Sequence, residues 1–359
     1  MALVRLQQLM ATSLICAFAP SFVPAQEILA VQSSVALPPE IGKRFGGVDW
    51  SVRASCGADG SIGIPLKHEA IDAPSPIAKL SADGTLLAVI NFEQVPGFEK
   101  GIVGDFAAGP HGETYVVGNA LLRGTPEAGL DYDQSLTLLR FDATGHLIAR
   151  RALTRKIAHP YLAVFASGEA LIVGLGFDGP YRGMSVAALV SPDGVLLRET
   201  GLPEALTTRE PTYNAAHQPK TKSPILIPMI TDDDRIAILR QGRTGAVAFI
   251  SNALEISSVT RLKHPRGTRV GGPAALGPGW LFAIVWYDSD QKPDPRERTK
   301  YVRFNLQDGE IMAIYDNLPA LQGPACKSAD GIQFFDLVQK TLNVMVPAAA
   351  NSSPGSNEK

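Results

Sequence analysis

Ser167-Gly-Glu-Ala-Leu-Ile-Val-Gly174 and Val190-Ser-Pro-Asp-Gly194 each set a tight turn against an apolar, β-rich run. Asp-Gly and Asn-x turns tolerate positive φ and join antiparallel strands closely. The signal recurs in both directions. Asp59-Gly60, Asp83-Gly84, His111-Gly112 and Thr144-Gly145 precede it. Asp232-Asp233-Asp234, Asn252-Ala253, Pro278-Gly279, Asp308-Gly309 and Asp330-Gly331 follow. The turns fall into two interleaved series. First turns stand at Gly60, Gly112, Gly168, Asp233, Gly279 and Gly331, and second turns at Gly84, Gly145, Gly194, Asn252 and Gly309. The first turns lie about 50 residues apart, room for four strands and their connections, which is one propeller blade. The reading is an all-β chain: a six-bladed β-propeller with four-stranded antiparallel blades.

The strands carry the chemistry this requires. Thr114-Tyr-Val-Val-Gly118, Arg235-Ile-Ala-Ile-Leu239 and Trp280-Leu-Phe-Ala-Ile-Val-Trp286 are apolar on both faces, as strands buried between neighbouring blades must be. Arg140 and Arg303 occupy matching positions just before second turns, which points to a solvated or ion-paired blade feature. The sixth blade is one strand short after Thr341-Leu-Asn-Val-Met-Val346. An open ring would expose an apolar edge. The missing strand is expected from the other end of the chain, where Ile28-Leu-Ala-Val-Gln-Ser-Ser-Val35 reads as one.

An apolar stretch from Leu9 to Val23 follows Arg5, and Val23-Pro24-Ala25 offers small residues at a cleavage point. The expected organisation is a signal peptide over 1–25, a propeller over 26–348 and a polar tail over 349–359. Removal of the leader leaves no membrane span and implies a secreted or periplasmic protein. It also leaves Cys56 and Cys326, in the first and last repeats. They stand four and five residues before their turn glycines. A disulfide across the closing ring and two buried thiols both remain open.

The Ser81-Ala-Asp-Gly84, Phe141-Asp-Ala-Thr-Gly145 and Ser191-Pro-Asp-Gly194 turns resemble those of the six-bladed β-propeller superfamily that includes NHL-repeat-like proteins. Gly112-Glu-Thr-Tyr-Val-Val117 is similar to the Gly-x-Ile-Tyr-Val core of that repeat. The resemblance spans roughly Asp49 to Val346. It implies the fold and no particular activity. Gly118-Asn119-Ala120 stands where the repeat has Asp after its Tyr-Val strand.

Hydrophobic residues make up 45% of the chain and charged residues 19%, which suits a core-rich folded protein. The formal net charge is −2, with acids and bases interspersed, so nucleic acid is not expected as a partner. The hairpin turns are short, whereas the connections on the opposite face are long, at 121–134, 177–184, 203–223 and 287–300. Long loops on a rigid scaffold are where binding residues collect. Tyr181, Arg182, Arg209, Tyr213, His217, Tyr287 and Arg296 are the candidate ligand-binding residues, since Tyr and Arg are favoured in recognition.

No catalytic residue, metal ligand or cofactor is assigned. Lactonase-type propellers hold a divalent cation with oxygen ligands around the channel. The corresponding runs here, such as Phe106-Ala-Ala-Gly109 and Leu162-Ala-Val-Phe165, are small or apolar. The six histidines show no zinc-site spacing. The expected function is an extracytoplasmic binding or scaffold module for a protein or small-molecule ligand, working as a monomer. The alternative is a hydrolase or lyase with its site on the long-loop face.

Overall fold

Seven apolar clusters, one in each seam between neighbouring blades and a small one of Ile41, Leu66 and Ala78 at blade 1, form the core of the computed structural model. It describes residues 25–41, 55–57, 59–66, 74–96, 98, 101–119, 136–207, 210–213, 219–222, 224–287, 299–315, 326–327, 331–336 and 339–347. Among these, six antiparallel sheets of four strands make a six-bladed β-propeller, with a single-turn α-helix at Glu204–Thr207.

The N-terminal strands β1 (Ala25–Glu27) and β2 (Leu29–Ala36) belong to the last two blades. Blade 1 holds β3 (Ser55–Cys56), β4 (Ile62–Pro65), β5 (Ile77–Leu80) and β6 (Leu86–Ile90). Blade 2 holds β7 (Ile102–Ala108), β8 (Thr114–Asn119), β9 (Leu136–Phe141) and β10 (Leu147–Ala152). Blade 3 holds β11 (Ile157–Val164), β12 (Ala170–Gly176), β13 (Ser185–Val190) and β14 (Leu196–Gly201). A separate hairpin follows, β15 (Glu210–Tyr213) with β16 (Pro219–Lys222). Blade 4 holds β17 (Leu226–Ile230), β18 (Ile236–Arg240), β19 (Ala246–Ile250) and β20 (Thr260–Arg261). Blade 5 holds β21 (Thr268–Gly277), β22 (Trp280–Tyr287), β23 (Thr299–Asn305) and β24 (Ile311–Tyr315). Blade 6 holds β25 (Cys326–Lys327), β26 (Ile332–Asp336) and β27 (Thr341–Pro347).

The turns take the conformation their residues favour. Gly60, Gly84, Gly112, Gly145, Gly168, Gly194, Gly279 and Gly309 all have φ between 72° and 88°. Asp234 (57°) and Leu254 (61°) fill that place in blade 4 without glycine. Short side chains brace the turns: the Thr144 hydroxyl donates to Asp142 Oδ1 at 2.6 Å, and that of Ser61 to Asp59 Oδ1 at 2.6 Å.

The seams explain the double-sided apolar strands. Phe92, Phe98, Phe106 and Phe141 fill the seam between blades 1 and 2. Leu162, Ile172 and Val186 pack against Tyr115, Val117 and Leu138 in the next. Phe282, Tyr301, Phe334 and Met345 join blades 5 and 6, where Phe282 stacks on Tyr301 at 5.5 Å. Polar clamps supplement this packing. The buried Asp105 accepts through Oδ2 from the Leu162 amide at 2.8 Å, tying the innermost strands of blades 2 and 3.

Ring closure follows the expectation, with an addition. β2 pairs antiparallel with β27, from Leu29↔Pro347 to Ala36↔Thr341, and supplies the fourth strand of blade 6. Before reaching it, β1 pairs in parallel with β24 and becomes a fifth strand of blade 5. Glu27 secures that strand: its Oε1 accepts from Arg303 at 3.0 Å, and its Oε2 from the Tyr315 hydroxyl at 2.8 Å. Cys56 and Cys326 are disulfide-bonded, with their Cα atoms 5.7 Å apart. Their different offsets come from the turns. Cys56 pairs with Ile62 across its hairpin, and Cys326 with Gln333, which gives blade 6 one residue more. The first and last blades are therefore joined at the centre by a covalent bond and at the rim by a strand.

Residues 1–24 and 348–359 lie outside the described residues, and with them all but Ala25 of the expected signal peptide over 1–25 and the whole expected tail over 349–359. No described helix is long and apolar enough to cross a membrane.

Candidate binding face

Alternating turns divide the propeller into two unlike faces. The hairpin face is built from short braced turns, several of which are tied across blades. Lys79 Nζ, on a largely buried side chain, donates to the Gly112 carbonyl at 2.5 Å. Asp234 Oδ1 accepts from the Ala166 amide at 2.6 Å, and Lys327 pairs with Asp232 at 2.5 Å. The acidic triplet 232–234 is thus part of a turn. Its Asp233 carboxyl is held below the usual carboxylate range by the Arg235 guanidinium and then the Thr231 hydroxyl. Glu169, Leu189, Leu197, Arg198, Asn252 and Ala253 line an open cleft of about 420 Å³ between blades 3 and 4.

The opposite face carries the long connections. Of these, 177–184 lies wholly within the described residues. It opens with a 3₁₀ turn, Gly179–Tyr181, whose Pro180 presets the backbone. Gly179 (φ 66°) and Gly183 (φ 76°) let the chain double back, so that the Gly183 amide donates to the Gly176 carbonyl at 2.8 Å and the Gly176 amide to the Met184 carbonyl at 2.9 Å. The Phe177 amide donates to the Lys156 carbonyl at 2.9 Å. Behind the loop, Arg155 grips Glu199 with Nε at 2.8 Å and Nη2 at 2.5 Å, and reaches Asp178 at 3.8 Å. The bidentate pair holds the guanidinium in place against Gly179 and Asp178 of the loop. It also raises the Arg155 pKa, through the Glu199 hydrogen bonds first.

The candidate residues distribute as follows. Tyr181 is half-buried and packs on the blade 2–3 core, its ring against Gly201. Arg182 beside it is exposed, with no carboxylate in ion-pair reach among the described residues. Tyr213 ends β15, opposite Pro219. Tyr287 ends β22, opposite Thr268, and is half-buried. Arg209, His217 and Arg296 lie outside the described residues, as do 120–135 and 288–298 within the long loops. The structure therefore unites Tyr181 and Arg182 in one loop of blade 3, while Tyr287 stands two blades away.

Two residues of this face escaped the sequence reading. Phe177 is 40% exposed and Met184 51% exposed. They bracket the loop Phe177-Asp-Gly-Pro-Tyr-Arg-Gly-Met184. Apolar residues at both ends of a glycine-rich connection, where polar ones are usual, were the available signal. Among the described residues, no three His, Cys, Asp or Glu side chains converge.

The chain and its site define a six-bladed β-propeller with one decorated face. No protein-family model matches the sequence, and no curated protein does. Among solved structures, it is similar to a protein of unknown function from Bacteroides caccae, at 12% identity and TM-score 0.44, over 74% of this chain and 85% of that one. It is also similar to Myxococcus xanthus glutaminyl cyclase, at 8% identity and TM-score 0.39, over 90% of this chain and 98% of that one.

Proposed function

We propose that the protein is an extracytoplasmic binding or scaffold module, a diverged NHL-repeat-like propeller that holds its ligand on the long-loop face. The observation that carries this reading is the asymmetry of the two faces. One consists of short turns locked to each other. The other bears the longer connections, including 177–184 and the β15–β16 hairpin. A rigid ring displaying variable loops on one side is the arrangement in which a scaffold positions recognition residues. Loop closure grows only slowly with length, so the scaffold tolerates such decoration. The disulfide supports an oxidising compartment.

The test is a pull-down from the extracytoplasmic fraction with the wild-type protein and with the Arg182→Ala/Tyr213→Ala/Arg296→Ala variant. A protein or small molecule retained by the wild type should be lost from the triple variant, with the melting temperature nearly unchanged. Equal retention by both would show that the ligand uses another surface.

A further inference from the structure

We infer that the loop 177–184 is a docking point for an extended segment of a protein partner that presents an apolar side chain next to a carboxylate. The inference deepens the assignment of the long-loop face as the binding face and rests on it.

Isolated exposed apolar residues need no explanation. Here the exposed side chains belong to one structured loop, and two of them share a surface. The Tyr181 ring and the Met184 methyl group both lie over Gly201: a Cβ there would stand 3.1 Å from Tyr181 Cδ1 and Cε1, and 3.9 Å from Met184 Cε. Phe177 enters the same loop from its other end, itself 40% exposed. Three apolar side chains are thus displayed by eight residues whose backbone is closed on itself and anchored from behind by Arg155. A loop ordered in advance loses little freedom when a partner docks. A methionine at its edge adapts to the shape of what it meets.

Charge selects the partner's chemistry. Two arginines stand at this loop, and among the described residues only one meets a carboxylate. Arg155 is engaged by Glu199 and Asp178. Arg182 is exposed and faces no carboxylate among the described residues, so it is a cation offered to an incoming acid, with the exposed Lys156 beside the loop. Asp178, 38% exposed in the same loop, weighs against an anionic membrane surface, which favours uniformly basic patches. A side chain at Gly183 would meet open space, so the patch is open where a small-molecule site is usually concave. A chain segment laid across it suits that shape.

A random dodecapeptide phage library selected on the immobilised full-chain protein supplies the probe. Selected sequences should carry Asp or Glu beside an aliphatic or aromatic residue. The consensus peptide, synthesised and measured by fluorescence anisotropy, should bind at least ~tenfold more weakly to Phe177→Ser/Met184→Ser and to Arg182→Glu, as hot-spot losses do. Arg182→Lys should keep most of the affinity, and all variants should melt as the wild type does. No acidic–apolar consensus, a consensus peptide indifferent to these variants, or binding of this loop to phosphatidylglycerol vesicles overturns the inference. A peptide lost on shortening 121–134 or 288–298, yet unaffected by the loop variants, overturns it while sparing the long-loop face. A peptide indifferent to both sets removes the long-loop face as well.

Discussion

Glu27 shows how a single carboxylate serves the ring. It accepts from Arg303 and from the Tyr315 hydroxyl, and so fixes the first described strand on blade 5. Burial first, and the bond to Glu27 second, raise the Tyr315 pKa well above its ordinary 10.0. A folded pKa above the unfolded one means that the neutral phenol stabilises the fold. That contribution is complete below about pH 10 and is lost as pH rises from there toward the folded value. Thermal melts between pH 8 and 11 should therefore fall at the alkaline end. Tyr315→Phe should flatten that fall, at a cost of about 1 kcal/mol near neutrality for the lost hydrogen bond. An unchanged alkaline slope in the variant would assign the effect to another group. The sequence read Arg303 as a solvated or ion-paired blade feature, and it pairs, but its partner is 276 positions away in the chain. The matched Arg140 instead lies over the Tyr115 ring, 6.0 Å from its centroid. Position within a repeat was legible, whereas the partner was not, because repeats do not specify what crosses between blades.

At the scale of elements, β2 has the clearest energetic role. Leu29, 2% exposed, packs with Phe334 and Met345 in the seam between blades 5 and 6. Leu29→Ala should cost about 2–5 kcal/mol, as buried leucine truncations do, measured by denaturant or thermal unfolding. Deleting 26–35 should cost more and bring aggregation, since it bares the edge of β27. Deleting 349–359 removes no residue of any described strand and should leave the melt unchanged. Equal losses from the two deletions would refute closure by β2. This strand could be foreseen because the count of apolar runs left one blade incomplete. The β1 strand, Ala-Gln-Glu, could not, because three residues carry no periodicity. Nor could the β15–β16 hairpin. Glu210-Pro-Thr-Tyr213 and Pro219-Lys-Thr-Lys222 are polar and interrupted by proline, so they read as loop. Strand signals come from apolar alternation, and these eight residues show none.

For the whole molecule, the spacing of turns was enough to count blades, because each blade must bury both faces against its neighbours. Where glycine was missing, Asp234 and Leu254 took the same backbone conformation, so the pattern survived its departures. Which loops were long was equally plain. What they display was not: the exposure of Phe177 and Met184 depends on how the loop folds back on Gly176 and Gly201. The covalent bond between Cys56 and Cys326 spans 270 positions. Constraint of so long a segment in the unfolded chain predicts a loss of about 2–5 kcal/mol for the Cys56→Ser/Cys326→Ser variant. Its melt should match that of the reduced wild type. A variant as stable as the oxidised protein would assign ring stability to packing and to the rim strand alone.

The two closures also impose an order in time. Synthesis begins at the N-terminus, yet β2 has no place to sit until β27 exists, more than 300 positions later. At roughly 5–20 residues per second, that interval is on the order of tens of seconds. Throughout it, Val31 and Val35 belong to a strand without a sheet. β2, among the first strands made, is seated only on the last one. The nascent protein is therefore most vulnerable at its oldest segment, and a holding chaperone that engages early and releases late would act there.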